Sequence, residues 1–480
     1  MPDHIFTKND LENILNQAVG KTLKEVDKNN VFDRTKAKPK ITGIAGDVIE
    51  QSVLGYAPDT KQSADLLVDN VPVELKTTGI RYSKKDKKSI EAKEPMSITA
   101  VSPKNIIHEN FDTSKFWNKI AHTLFVYYFY DSESTVKAAE YANFRIQGYQ
   151  FHQFNEHDVE ILKNDWSIVR NFIRNVDEEN IDTEYPKISK LRNQMMYLDT
   201  APKWPHSPRF RLKKAVVTNI VQQYLGKHFE TLTSENSFNN YSELDKKLHE
   251  FTNKYKGKTL RELAFKFDIP DTSKNIAEKV MVKMFGSNTS KLRDIDNFNK
   301  LGIIPKTIKL NCKGKNTEDM KFEVIDFSEW TNKRLDFNDS RVYNFFLNPI
   351  LLIIFQETKS KGSLLNATFE GFKRFTLDKD LLQSELKSTW NEVRRLIWNK
   401  DVRMDIMYKK DGQPMMTPKT KIPKKQNNLP KSSQYIFFLR GSGGDANGKT
   451  LVLNGINMYP QYVWIRGTFI ANLLSKMQYI

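Results

Sequence analysis

Apolar residues recur at helical spacing over residues 44–54, where Ile44, Ala45 and Val48 fall on one face. Residues 64–77 then alternate as a strand does, and residues 123–130 form an unbroken β-branched and aromatic run of the kind that fills a buried strand. Helical spacing returns over residues 156–175. Helices interleaved with strands predict an α/β or α+β fold, a mixed sheet flanked by helices.

The pattern occurs twice. Gly20-Lys21-Thr22-Leu23-Lys24-Glu25 reappears as Gly257-Lys258-Thr259-Leu260-Arg261-Glu262, and Val53-Leu54-Gly55 as Met284-Phe285-Gly286. Phe116-Trp117-Asn118, with the apolar run that follows it, is matched by Val342-Tyr343-Asn344-Phe345 and its own run. Asp165-Trp166 is echoed by Thr389-Trp390. The four matches keep their order at offsets of 237, 231, 226 and 224, which argues for a tandem duplication. Two domains are expected, residues 1–232 and 240–480, joined by the polar stretch Leu232 to Ser237.

The most informative stretch runs from Ala64 to Thr77. Asp69-Asn70 is a two-residue hairpin turn, which pairs Val68 with Val71 and sets Asp65 opposite Glu74. Glu74 and Lys76, two apart, share a face of their strand. Facing carboxylates repel, and a divalent cation between them removes that penalty; oxygen donors without histidine suit Mg²⁺. A lysine beside such a site can hold the attacking water and neutralise a phosphate oxygen. The same residues also fit a hairpin end with ordinary surface acids, since Glu-x-Lys recurs at Glu91/Lys93 and Glu385/Lys387.

Charge narrows the choice of partner. Lys plus Arg number 75 against 58 acids, a net charge of +17, which points to a polyanion. Two stretches could meet phosphates: Arg81–Lys93, containing Lys84 and Lys85, and residues 409–431, which read as a mobile basic loop. The single cysteine, Cys312, excludes a disulfide framework and suits a reducing cytoplasm. The first residues lack a signal-peptide pattern, and no apolar run is long enough to span a bilayer, so no membrane partner is expected. Gly443 to Thr450 fits a phosphate-binding loop by its letters. It is followed by Leu451-Val452-Leu453-Asn454-Gly455 and then Pro460, where such a loop must open a helix, so no nucleotide cofactor is expected. The eight histidines have no zinc-site spacing.

Val73-Glu74-Leu75-Lys76-Thr77, Asp65, and Glu50 on the helix before Gly55 resemble the PD-(D/E)XK nuclease core, in the branch containing MutH. Asp112-Thr113-Ser114 with Lys119, the Asp165-Trp166 helix and Phe210-Arg211-Leu212-Lys213 keep the family's order. The resemblance implies that Glu50, Asp65 and Glu74 surround a Mg²⁺ ion and that Lys76 and Lys119 act on water and phosphate. It further implies DNA contacts from Lys203, Arg211 and Lys213. Ala201 stands where the family has a base-reading arginine, and Arg440 occupies the corresponding place in the second copy. A tandem chain of this length resembles the Sau-type type II restriction endonucleases, which cut double-stranded DNA at GATC to leave 5′-phosphates and 5′ overhangs. The expected setting is a bacterial cytoplasm, with dimerisation on DNA. In the second copy Glu74 aligns with Thr307, Glu50 with Met281, Lys119 with Phe345, and Asp65 near Asn297 or Phe298. Lys309 is then left in the place of Lys76, and that copy is expected to bind DNA without cutting. A MutH-type mismatch-repair nickase and a non-catalytic DNA-binding protein are the alternatives.

Overall fold

The computed structural model describes all residues except 1–3, 40, 57–63, 84–87, 133–135, 202–207, 317, 360–361, 418–420 and 444–447. The chain divides into two compact units. The first contains residues 1–250 and 278–303, and the second residues 251–277 and 304–480. Residues 278–303, which belong to the second repeat in sequence, therefore fold with the first unit.

In the first unit the strands are β1 Ile5–Phe6, β2 Leu66–Val68, β3 Val71–Tyr82, β4 Ile90–Ala92, β5 Met96–Ala100, β6 Thr123–Phe129, β7 Arg145–His152, β8 Leu198–Ala201 and β9 Arg209–Leu212. The main sheet has the order β1-β2-β3-β6-β7, with β4 on β3, and a smaller sheet has the order β5-β9-β8. β3 and β6 run parallel while β6 and β7 are antiparallel, so the sheet is mixed, as the sequence pattern predicts. β6 is buried along nearly its whole length, consistent with its continuous apolar run. The helix Lys8–Ala18 and the helical segment from Ile44 pack Leu11, Leu15, Ile44 and Val48 against Val73, Leu75, Leu124 and Val126 of this sheet.

The second unit contains β10 Ile304–Leu310, β11 Met320–Val324, β12 Ile350–Gln356, β13 Thr368–Phe375, β14 Met404–Ile406, β15 Lys425–Asn427, β16 Phe437–Gly441, β17 Leu451–Leu453, β18 Ile456–Met458 and β19 Gln461–Ile465. β10 and β12 are parallel and β12 and β13 antiparallel, repeating the β3-β6-β7 arrangement. The sheet β11-β19-β16 repeats β5-β9-β8.

Local details repeat with the topology. Thr22 and Glu25 form a capping box, as do Thr259 and Glu262, each two residues after a left-handed glycine, Gly20 or Gly257. Ser114 caps the helix Lys115–Asn118 and donates to the Phe111 carbonyl, and Ser340 does the same for Arg341–Phe346 and Phe337. Both central ladders bulge opposite a positive-φ glycine, after Tyr127 at Gly148 and after Ile354 at Gly371.

Those bulges correct one correspondence drawn from sequence. Tyr127 aligns with Ile354, hence Thr123 with Ile350. The parallel partner of Thr123 is Glu74, and that of Ile350 is Ile304. The place of Glu74 is thus taken by Ile304 rather than Thr307, and that of Lys76 by Lys306 rather than Lys309. Weak similarity let the apolar runs slide by three residues, whereas the ladder fixes the register. Lys309 instead pairs with Glu357 at 2.5 Å.

Among the described residues no helix is long and apolar enough to cross a membrane.

Candidate active site

Asp69 and Asn70 both have positive φ, 46° and 65°, which closes the β2-β3 turn in the geometry that right-twisted hairpins prefer. The register is Val68↔Val71, Leu67↔Pro72 and Leu66↔Val73, and its next step brings Asp65 to Glu74. Asp65 Oδ2 accepts the Leu75 N–H at 2.9 Å, and the Asp65 carbonyl is held by His4 Nδ1 at 2.8 Å. The carboxylate is thereby fixed against β3.

Glu74 is 3% exposed. Its Oε1 accepts from Lys76 Nζ at 2.6 Å and its Oε2 from Lys119 Nζ at 2.8 Å. Lys119 Nζ also lies 3.6 Å from Asp65 Oδ1. Lys119 reaches this position because the Ser114-capped helix ends in a turn whose His122 carbonyl accepts the Glu74 N–H at 2.9 Å. Burial raises the Glu74 carboxyl above its ordinary range despite the opposing pull of Lys76, and Asp65 adds to the rise.

Glu50 sits in the π-helical turn Ile49–Val53 that continues the helix Ile44–Val48. Burial, then the charges of Asp65 and Asp47, push its carboxyl up to about 7. The structure therefore brings all five expected residues, Glu50, Asp65, Glu74, Lys76 and Lys119, into one electrostatic neighbourhood. Sequence reasoning missed two members. Asp47, three residues before Glu50 and tied to Arg34 at 2.7 Å, was visible by helical spacing. His4 had no local signal, because its contact with Asp65 spans 61 residues.

Among the described residues no three carboxylate, imidazole or thiol groups are gathered into a metal-holding cluster. The ammonium groups of Lys76 and Lys119 stand where the negative charge converges. The donor chemistry still fits a hard divalent cation. Asp65 and Glu74 offer oxygens only, and a cation would give a counter-charge to the Glu50 carboxyl, raised first by burial and then by Asp65 and Asp47.

The expected DNA-contacting residues are placed differently from one another. Arg211 Nε bonds Asp199 Oδ1 at 2.7 Å, and Asp199 is shared with Arg192 at 2.9 Å. Lys213 is buried, its ammonium on the carbonyls of Met195 at 2.5 Å and Arg192 at 3.2 Å, a position that serves the fold. Lys84, Lys85 and Lys203 lie outside the described residues. In the second unit Arg440 is exposed, with its guanidinium 4.9 Å from the ring centres of both Phe438 and Trp464 and 2.7 Å from Asp319. The ladders put it at the position of Ala201: Ala201 pairs with Arg209 as Arg440 pairs with Tyr462. After the glycine-rich stretch the chain forms the β17-β18 hairpin, not the helix a phosphate-binding loop opens.

Residues 54–165 match the family described as DNA mismatch repair enzyme MutH, a segment that spans Asp65, Glu74, Lys76 and Lys119. With the mixed sheet and this constellation, the chain carries a MutH-like nuclease domain. It is also 24% identical over 414 residues to the type II restriction enzyme Sau3AI of Staphylococcus aureus, covering 81% of this chain and 79% of that enzyme. An alignment of that length exceeds either compact unit alone.

Proposed function

We propose that the chain is a Mg²⁺-dependent type II restriction endonuclease that hydrolyses double-stranded DNA at GATC, on the 5′ side of the site, leaving 5′-phosphate ends with 5′ overhangs. The observation that carries this reading is the buried Glu74 carboxylate linked to Lys76 and Lys119, with Asp65 beside it. Asp65 and Glu74, with Glu50, would hold the Mg²⁺, which supplies Lewis acidity and lowers the pKa of water. Lys76 Nζ orients the water that attacks phosphorus. Lys119 offsets charge on the non-bridging oxygen as the bond to the 3′-oxygen breaks, and that oxygen takes up a proton from solvent water. The proton that the water gives up passes to solvent.

Catalysis is assigned to the first repeat, residues 1–232, and DNA binding without cleavage to the second, residues 240–480. Ile304 and Phe345 stand in the second at the positions of Glu74 and Lys119. One active site per chain makes a double-strand break the work of two chains on DNA or of two successive nicks.

Plasmids bearing unmethylated, hemimethylated or fully methylated GATC separate this reading from its rivals. Complete double-strand digestion in Mg²⁺ by the protein alone supports restriction. Nicking that waits on partner proteins would point to a mismatch-repair enzyme, and a gel shift without cleavage to a simple binder.

A further inference from the structure

The described residues between 401 and 431 do not form an open loop. They build a β-arm in the second unit, at the connection between the helix Lys387–Trp398 and β16. In the first unit the corresponding connection, between the helix Glu156–Arg174 and β8, is helical instead. β14 and β15 pair from Met404↔Asn427 to Ile406↔Lys425. Beyond them the Met407 N–H donates to the Lys424 carbonyl, Met415 N–H to Met407, and Lys424 N–H to Met415, so three segments close on one another. The bridges Tyr408↔Pro414 and Met416↔Pro423 extend this toward the tip. The root is held by Arg403 N–H on Asn428 Oδ1 at 3.0 Å and by Asn428 Nδ2 on the Asp401 carbonyl at 2.9 Å.

From Arg403 to Asn428 no described residue is buried. An arm of this size without a core of its own is marginally stable in water, which makes a covering surface the natural reason for its shape. It displays large apolar side chains, with Tyr408 60%, Ile422 59%, Met416 45% and Ile406 37% exposed. Between them stand Lys409, Lys410, Lys421, Lys424 and Lys425. From Arg403 to Asn428 the described acids are two, Asp405 and Asp411, and Asp405 is already paired with Arg403 at 3.0 Å. Apolar tips set among cations match the minor groove of a duplex, where sugar walls and base edges take apolar contact and phosphates line both rims.

We propose that this arm clasps duplex DNA through the minor groove, its lysines on phosphates and Tyr408, Met416 and Ile422 against the groove floor. The inference rests on the reading of the chain as a DNA-acting enzyme, but its test does not need cleavage. Binding of the full chain to a GATC duplex is measured by fluorescence anisotropy in metal-free buffer over a range of salt. A variant with the five lysines changed to alanine should lower the slope of log affinity against log salt by about 4.5, at about 0.9 per phosphate contact. A Tyr408→Ser, Met416→Ser, Ile422→Ser variant should weaken binding about 10-fold or more with its slope unchanged, because it removes groove contacts and no charge. Neither variant should change the melting temperature, since neither touches a buried residue.

Parental affinity and slope in both variants would overturn the arm's role while leaving the nuclease reading intact. So would a change confined to self-association in sedimentation, which would give the arm to a second copy of the chain. Normal parental binding without Mg²⁺-dependent cleavage would sink the nuclease reading alone. Absence of DNA binding by the parent would sink both.

Discussion

At the scale of single residues, the site is a problem of charge. Glu74 is buried with two ammonium groups on it, so its replacement removes the acceptor that holds both lysines in place. Glu74→Gln and Lys76→Met are each expected to lower kcat by about 10³-fold while leaving DNA affinity within a few-fold, as steady-state cleavage and metal-free binding will show. Glu50 gives a second test. Folded, its carboxyl keeps the proton up to about 7, while unfolded it releases it near 4.5. Between those values the folded state binds more protons, so stability falls as pH rises through that window. Glu50→Gln removes this loss. In metal-free urea melts it should be more stable than the parent at pH 8 by about 1–2 kcal/mol, after discounting for partial exposure, and by much less at pH 5. A variant that is less stable at pH 8 would contradict a carboxyl raised by burial and neighbouring charge.

At the scale of elements, local chemistry was legible and register between distant strands was not. The Asp69-Asn70 turn fixes its hairpin from two residues, so the facing of Asp65 and Glu74 could be read from the sequence. The three-residue error in the second copy arose because β10 and β12 are joined in parallel across about 40 residues and only their pairing, with its bulge at Gly371, sets the alignment. The helix Glu156–Arg174 carries another feature the sequence marked without explaining. Asp165 is buried and its carboxylate accepts the N–H groups of Met196, Tyr197 and Leu198 at 2.7–2.9 Å, which fixes the start of β8. In the second copy Thr389 takes this place and donates instead to the Phe437 carbonyl at 2.5 Å. Asp165→Ala should cost about 3 kcal/mol or more in denaturant melts, since three buried donors lose their acceptor. A loss below about 1 kcal/mol would mean that water reaches them.

At the scale of the whole molecule, the repeats in sequence and the compact units in space do not share a boundary. Lys300, from the part of the chain after the second repeat begins, is buried in the first unit. Its ammonium lies 2.7 Å from Asp158 and 2.6 Å from Asp296. Asn219 Nδ2 bonds Asp296 Oδ1 at 3.0 Å, and His157 meets Asn297. No periodicity could announce this, because it depends on which helices pack together. A chain ended at residue 232 leaves Asp158 buried without its cation. It should melt at lower temperature than a chain ended at residue 303, and calorimetry of the two fragments checks this. Equal melting would return the boundary to residue 232.

One metal-assisted site in the first repeat is proposed to cut DNA at a defined sequence. Digesting an unmethylated plasmid in Mg²⁺ and mapping the ends of every strand tests it most directly. Complete cleavage on the 5′ side of GATC with 5′-phosphate ends is expected, abolished by EDTA and by Glu74→Ala. Undiminished cleavage by Glu74→Ala, or an intact plasmid with the parental protein, would contradict it.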